Sequence, residues 1–294
     1  MKRRLLVAFG LTAIGIMALL WMRSDIGHSR YFTDQTYHHL TLRALGEIPY
    51  AGADTGEILE TIKHIRAGDS NSWFEAWERT ANRVAERART VLDPTSRGRA
   101  LLRAHNYYRT AEFLLAPGDH RRAATWEKNI REFYEGLDAL GVHYERIRVP
   151  YGAHHLNALY FPGSESAKTK PLIVACGGFD STMEELYFVI VAGALERGYS
   201  VLVYEGPGQG SVLREQGLTF TPEWERPTGA LLDAFLQSHP RPVRIVLFGM
   251  SMGGYLAPRA AAFDERIDGV VAFDVLFDMA AAARSVSRFS RIVT

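Results

Sequence analysis

One serine stands where a sequence can make it a nucleophile. Residues 244–257 read RIVLFGMSMGGYLA, an apolar run of strand type from Arg244 to Phe248, then a GxSxG pattern, then a helix-forming stretch. Strand, tight turn and helix in that order make a nucleophile elbow, where the serine sits on a sharp corner and glycines two residues to either side let backbones approach closely. Ser251 is therefore the candidate nucleophile. A bare GxSxG arises readily by chance in a chain with 26 glycines, so the flanking strand and helix carry the weight. Attack by a serine oxygen on a carbonyl creates an oxyanion that needs donors. In an elbow one donor is the N–H after the nucleophile, here Met252, and the other comes from the loop after the third strand. That loop is Gly177-Gly178-Phe179-Asp180, in which Phe179 or Gly178 is the candidate second donor.

A second glycine-rich stretch, Glu205-Gly206-Pro207-Gly208-Gln209-Gly210-Ser211, has the look of a phosphate loop. No GK[ST] follows it, and the GxGxxG pattern with its downstream acid is not met, so it is expected to be a tight loop beside the active site. Pro258, inside the helix after Ser251, removes one backbone donor and is expected to kink it.

The elements that must position these residues fall into two stretches. From Tyr31 to Leu140 the pattern is helical. Asp54 with Glu57 resembles a capping box ahead of Ile58, Ile62 and Ile65, and Ser72 with Glu75 is expected to open a helix presenting Trp73, Trp77, Ala81 and Val84. A third helix is expected from Ser96 to Leu115. A fourth carries Ala123, Trp126, Ile130, Phe133, Leu137 and Leu140 at spacings of three and four before Gly141. From Val142 the period becomes that of strands. A hairpin is expected around Tyr151-Gly152-Ala153, followed by strands at Leu172 to Cys176, Ser200 to Tyr204, the elbow, and Gly269 to Phe273, with helices between them. Apolar strands alternating with helices indicate a mostly parallel sheet covered on both faces, hence an α/β fold.

These residues resemble the α/β-hydrolase superfamily, and within it the group containing dihydroxypseudooxynicotine hydrolase and fermentation-respiration switch protein relatives. The likeness lies in GADTGEILETI and GDSNSWFEAW, then in CGGFDSTMEE, YEGPGQG and GMSMGGYLAPRAAAFD, and covers about Tyr31 to Met279. It implies a helical lid, residues 31–141, on a hydrolase core, residues 142–294, and a serine attacking a ketone, ester or related small-molecule carbonyl without a cofactor or metal. It also implies an assisting acid near the oxyanion loop, for which Asp180 is the best match and Glu184 or Glu185 are alternatives. The substrate is expected between the lid and the C-terminal ends of the strands, under lid aromatics such as Trp73, Trp77, Tyr107 and Tyr108.

The departure is the base. The superfamily orders its triad as nucleophile, acid, histidine, yet none of the ten histidines follows Ser251. His239 precedes the elbow strand, and His154 and His155 fall in the hairpin, roughly four strand spacings or 19 Å away. Asp274 could be an acid. With six strands where the fold has eight, the expectation is a hydrolase lacking its last strands and weakly active. Its rivals are a non-catalytic binding or oligomerising module and a divergent enzyme pairing Ser251 with Asp274 and a non-standard base.

Composition narrows the remainder. A net charge of +1 with dispersed basic residues leaves no footprint for nucleic acid. Cys176, the single cysteine, excludes an internal disulfide and any cysteine-based metal cluster, and is expected to be a buried hydrophobe. Lys2, Arg3 and Arg4 precede an uncharged run from Leu5 to Met22, about 27 Å long as a helix. That suggests a single-pass membrane anchor over residues 1–24 with the N-terminus cytoplasmic, the rivals being a cleaved signal peptide and a misassigned start.

Overall fold

The computed structural model describes residues 30–281 and residue 284. Among the described residues, five α-helices precede the sheet: α1 (Gln35–Gly46), α2 (Thr55–Ile62), α3 (Ser70–Thr90), α4 (Pro94–Glu112) and α5 (Arg121–Leu140). Four begin on an aspartate whose carboxylate accepts backbone N–H groups of the first turn, namely Asp34, Asp54, Asp69 and Asp93. Asp54 caps α2 as its spacing suggests. At α3 the cap is Asp69 and not Ser72, because a charged acceptor satisfies two N–H groups at once and Ser72 is left to bind Arg66. Helix α5 stops at Gly141, whose φ of 68° is left-handed. Helix α1 had no motif of its own in the sequence.

A two-residue turn at Gly152 and Ala153 joins β1 (Glu145–Tyr151) to β2 (His154–Phe161). The chain then alternates β3 (Leu172–Cys176), α6 (Met183–Leu186), a π-helical turn (Tyr187–Val191), α7 (Ala192–Glu196), β4 (Val201–Glu205), α8 (Gly210–Gln216), α9 (Glu225–Ser238), β5 (Ile245–Met250), α10 (Gly253–Ala261) and β6 (Gly269–Phe273). The strand order is β1-β2-β4-β3-β5-β6, with the first two pairings antiparallel and the others parallel. All five residues of β4 are buried, as expected of a strand covered on both faces.

Among the described residues three apolar cores result. One lies within the helices and contains Trp73, Trp77, Tyr107 and Tyr108. Another joins one sheet face to α9 and α10 through Trp224, Leu231, Leu247 and Ala257. The third joins Leu102, Phe133 and Leu137 of α4 and α5 to Phe161, Ala175, Phe188 and Val203, which packs the helical stretch onto the sheet. Pro258 lies within α10, as its position requires.

The membrane assignment is corrected. Among the described residues no helix is long and apolar enough to cross a membrane. The run from Leu5 to Met22 on which that assignment rested lies outside the described residues.

Candidate active site

Ser251 occupies the turn between β5 and α10 with φ at 58°, a left-handed conformation that non-glycine residues rarely adopt. Its N–H donates to Phe273 O at 2.9 Å, prolonging the β5–β6 pairing, and its carbonyl accepts from Gly254 N at 2.8 Å. The glycines of GxSxG are steric necessities. A Cβ on Gly249 would stand 2.0 Å from Gly253 O, and one on Gly253 would meet Gly177 O at 2.6 Å and Cys176 O at 2.8 Å. The corner is thus packed against the end of β3. Cys176 is buried there, and burial pushes its thiol up to about 12, so it is an inert part of the core.

That contact brings the loop after β3 to the serine. A Cβ on Gly178 would lie 2.9 Å from Ser251 Cβ and 3.2 Å from its Oγ, so only glycine allows this approach. Among the described residues, no protein acceptor takes the N–H of Met252, Gly178 or Phe179. The Phe179 ring is exposed and stacks on Phe220 at 5.7 Å between centroids.

Ser251 and Gly178 line a cleft of about 1560 Å³, together with Met250, Phe273 and Asp274 from the strand ends. The opposite wall includes His39, Leu40 and Arg43 of α1, with Glu47 just beyond its end and Phe113 after α4. Phe188 and Val189 also line it, projected from the π-helical turn, a distortion often found at functional sites.

The lid aromatics are elsewhere. Trp73, Trp77, Tyr107 and Tyr108 are buried in the helical core, do not line the cleft, and three of them spend their polar ends there. Trp73 Nε1 donates to Thr110 O at 2.7 Å, Tyr107 to Glu57 at 2.8 Å and Tyr108 to Asn82 at 2.6 Å. The apolar stripe that suggested a roof is the seam between α3 and α4.

A charged cluster occupies the side of the cleft that the N-terminal helices line. Arg43 contacts Asp180 at 2.5 Å and Glu185 at 2.6 Å, Arg109 reaches Glu185 at 2.7 Å, and Ser181 donates to Glu185 at 2.9 Å. Burial opposes the charge on Asp180, but Arg43 outweighs it and holds the carboxyl below its usual range. Glu47 is the reverse: burial pushes it up to about 8 against the pull of Arg109, 3.9 Å away. Arg43 and Arg109 therefore face Asp180, Glu185 and a Glu47 carboxyl that burial disposes to keep its proton. Glu184 turns away to Tyr134, at 3.1 Å. Asp180 and Glu185 line the cleft and Glu184 does not.

The described histidines are dispersed. His239 pairs with Glu145 on the far edge strand at 3.0 Å. His155 pairs with Arg148 at 3.0 Å, and β2 lies three strand steps from β5, about 14 Å. His105 lies behind Phe188 with its ring nearly parallel, and burial pushes it down to about 3, leaving it neutral. His39 lines the cleft, but no hydrogen bond joins any described side chain to Ser251 Oγ. Asp274, at φ 57°, lines the cleft beside Ser251.

Residues 172–293 match the alpha/beta hydrolase family. The chain is 38% identical over 280 residues to the hydrolase acrC of Aspergillus aculeatus, covering 87% of this chain and 65% of that protein. It is 37% identical to the 20-hydroxy-prefusarin hydrolase FUS2 of Gibberella moniliformis, covering 87% and 64%. The chain thus spans somewhat under two thirds of the length of these relatives. Among solved structures, 2,6-dihydroxy-pseudo-oxynicotine hydrolase superposes with a TM-score of 0.66 at 22% identity, over 80% of this chain and 66% of that one, a likeness of fold. A strained serine between β5 and α10, the β1-β2-β4-β3-β5-β6 order and the match from residue 172 onward agree on an alpha/beta hydrolase fold, and residues 172–293 form a domain of the alpha/beta hydrolase family.

Proposed function

We propose that this chain is a serine hydrolase in which Ser251 attacks the carbonyl of an ester, or of a ketone whose carbon–carbon bond is cleaved. The observation that carries it is Ser251 at φ 58° on the floor of a large cleft, against a glycine loop with its N–H groups unused. In the attack, Oγ adds to the carbonyl carbon while its proton passes to solvent water, the carbonyl π pair moves onto the oxygen, and that oxyanion receives hydrogen bonds from the N–H of Met252 and of Phe179 or Gly178. Asp180 assists from the same loop, its carboxylate held by Arg43. Helices from residues 31–141 act as a lid over a catalytic core that begins at residue 142. A cleft of about 1560 Å³ with Leu40, Phe113, Phe188 and Phe273 in its walls suits a bulky, largely apolar small molecule. One fungal relative is named a 20-hydroxy-prefusarin hydrolase, which supports a small-molecule substrate.

The test is a fluorophosphonate probe, which captures an activated serine. An unassisted hydroxyl is a weak nucleophile and no described base touches Ser251, so labelling is expected to be slow, stoichiometric at the end, and lost in Ser251→Ala. Labelling that survives Ser251→Ala defeats the reading. No labelling of a folded chain would favour a binding protein that keeps the cleft without the chemistry.

A further inference from the structure

The glycine-rich loop after β4 has no part in the chemistry described so far, yet it is built around one buried side chain. Gln209 is 1% exposed. Its Nε2 donates to Gly177 O at 2.8 Å and to Gly178 O at 3.0 Å, and its Oε1 accepts from Gly206 N at 3.0 Å. Two carbonyls call for the two hydrogens of the amide nitrogen and one N–H calls for its oxygen, so the amide has one satisfying orientation. The loop's own glycines hold it there. A Cβ on Gly206 would lie 2.4 Å from the Trp224 ring, and Gly208, at φ 88°, would drive one into Phe220 at 2.3 Å.

A trans peptide is planar, with its N–H antiparallel to its C=O. The Gly177 carbonyl shares a peptide with the Gly178 N–H, and the Gly178 carbonyl shares one with the Phe179 N–H. Fixing both carbonyls on one side therefore fixes both N–H groups on the other, and these are the two candidates for the second oxyanion donor. Glu205 fastens the far end of the same loop, accepting from Met183 N at 3.1 Å and Ser211 N at 2.8 Å.

We infer that Gln209 is a positioning residue for the oxyanion hole, clamping the peptides on either side of Gly178 so that their N–H groups are aimed before any substrate arrives. The inference rests on the serine-hydrolase reading. Preorganised donors act because they need no reorganisation when charge develops, so the clamp belongs to the rate of bond formation and not to ground-state binding.

The experiment measures fluorophosphonate inactivation of the full chain as a maximal rate and a half-saturating concentration. Gln209→Glu keeps the length and the acceptor for Gly206 but presents a carboxylate to two carbonyls; Gln209→Met removes all three bonds. Both are expected to lower the maximal rate about 10- to 100-fold while the half-saturating concentration stays within about twofold. Should Gln209→Met fail to fold, Gln209→Glu carries the test alone. Its thermal midpoint is recorded alongside, since a merely structural role would lower the midpoint and leave the maximal rate untouched. A folded Gln209→Glu protein with a wild-type maximal rate, or one altered only in half-saturation, overturns the inference. Labelling that persists in Ser251→Ala defeats instead the reading beneath it.

Discussion

Arg43 in the last turn of α1 lies 2.5 Å from Asp180 on the loop that approaches Ser251, which ties the helical stretch to the Ser251 side of the cleft by one guanidinium. The same group reaches Glu185 at 2.6 Å, and exposure decides which contact matters more. The Asp180 side chain is 38% exposed and that of Glu185 is 4% exposed. A double-mutant cycle of Arg43→Met with Asp180→Asn should give a coupling of about 1 kcal/mol or less, as for solvent-screened pairs. The cycle with Glu185→Gln should give about 1–3 kcal/mol, moderated because Arg109 and Ser181 still hold that carboxylate. Urea unfolding of the variants measures both, and the reverse ranking would show that burial does not govern this cluster.

Gly178 offers a sharper test of the site's construction. In Gly178→Ala the new methyl would press on Ser251 Cβ at 2.9 Å, and backbone on both sides leaves little room to yield. The fold is expected to survive, while fluorophosphonate labelling falls at least about tenfold through displacement of the oxyanion loop. Gly253→Ala differs, since its methyl would strike the Gly177 and Cys176 carbonyls and should cost stability as well. Circular dichroism melts beside labelling rates separate the two, and equal labelling in Gly178→Ala and wild type would place the loop elsewhere.

The tryptophans of α3 should behave as core and nothing more. Trp77 is fully buried, with Trp73 and Tyr107 each 5.6 Å away between ring centroids. Trp77→Ala is expected to lose about 3–5 kcal/mol of unfolding free energy. Trp77→Phe should lose less, and labelling of Ser251 in the folded fraction should be unchanged in both. A labelling defect in a stable Trp77→Phe protein would return this residue to the cleft.

That contrast marks how far the sequence could be followed. The elbow was legible because its chemistry is local: GxSxG needs only neighbours within a few residues, and its strand and helix lie beside it. Strands β1 to β6 were legible from apolar runs and turn residues. The lid's wall of the cleft was not, because Arg43, Glu47 and Phe113 come from helix ends, where periodicity carries no signal about which neighbour they face. Trp73 and Trp77 misled for the opposite reason: an aromatic stripe at helical spacing is the same whether it meets a ligand or a second helix. Gln209 was hidden inside a motif whose glycines drew attention to phosphate, and only the structure shows its amide reaching across 31 and 32 residues to the carbonyls of Gly178 and Gly177.

Glu47 should make stability depend on pH in a direction opposite to that of an ordinary salt-bridged carboxylate. One of its oxygens, Oε2, is buried without a partner among the described residues, and burial pushes the group up to about 8 in the folded chain. Unfolded, it titrates near the usual value of about 4.3. Between those values the folded state holds more protons than the unfolded one, so its contribution falls as pH rises from about 4 to about 8 and is level above that. Glu47→Gln removes the titration while keeping the shape. Relative to wild type, the variant should therefore gain stability across the window, by a few kcal/mol in all, since each tenfold change in proton affinity is worth roughly 1.4 kcal/mol. Glu205, which burial pushes up to about 7, gives both proteins a similar slope, so only the difference between them is diagnostic. Urea unfolding at pH 5, 6.5 and 8.5 measures it, and parallel curves for the two proteins would mean that Glu47 is ionised throughout. The same proton matters to the cleft. Once Glu47 ionises, a further negative charge faces Arg43 and Arg109, and its repulsion of Asp180 should loosen the hold of α1 on the loop after β3 above pH 8.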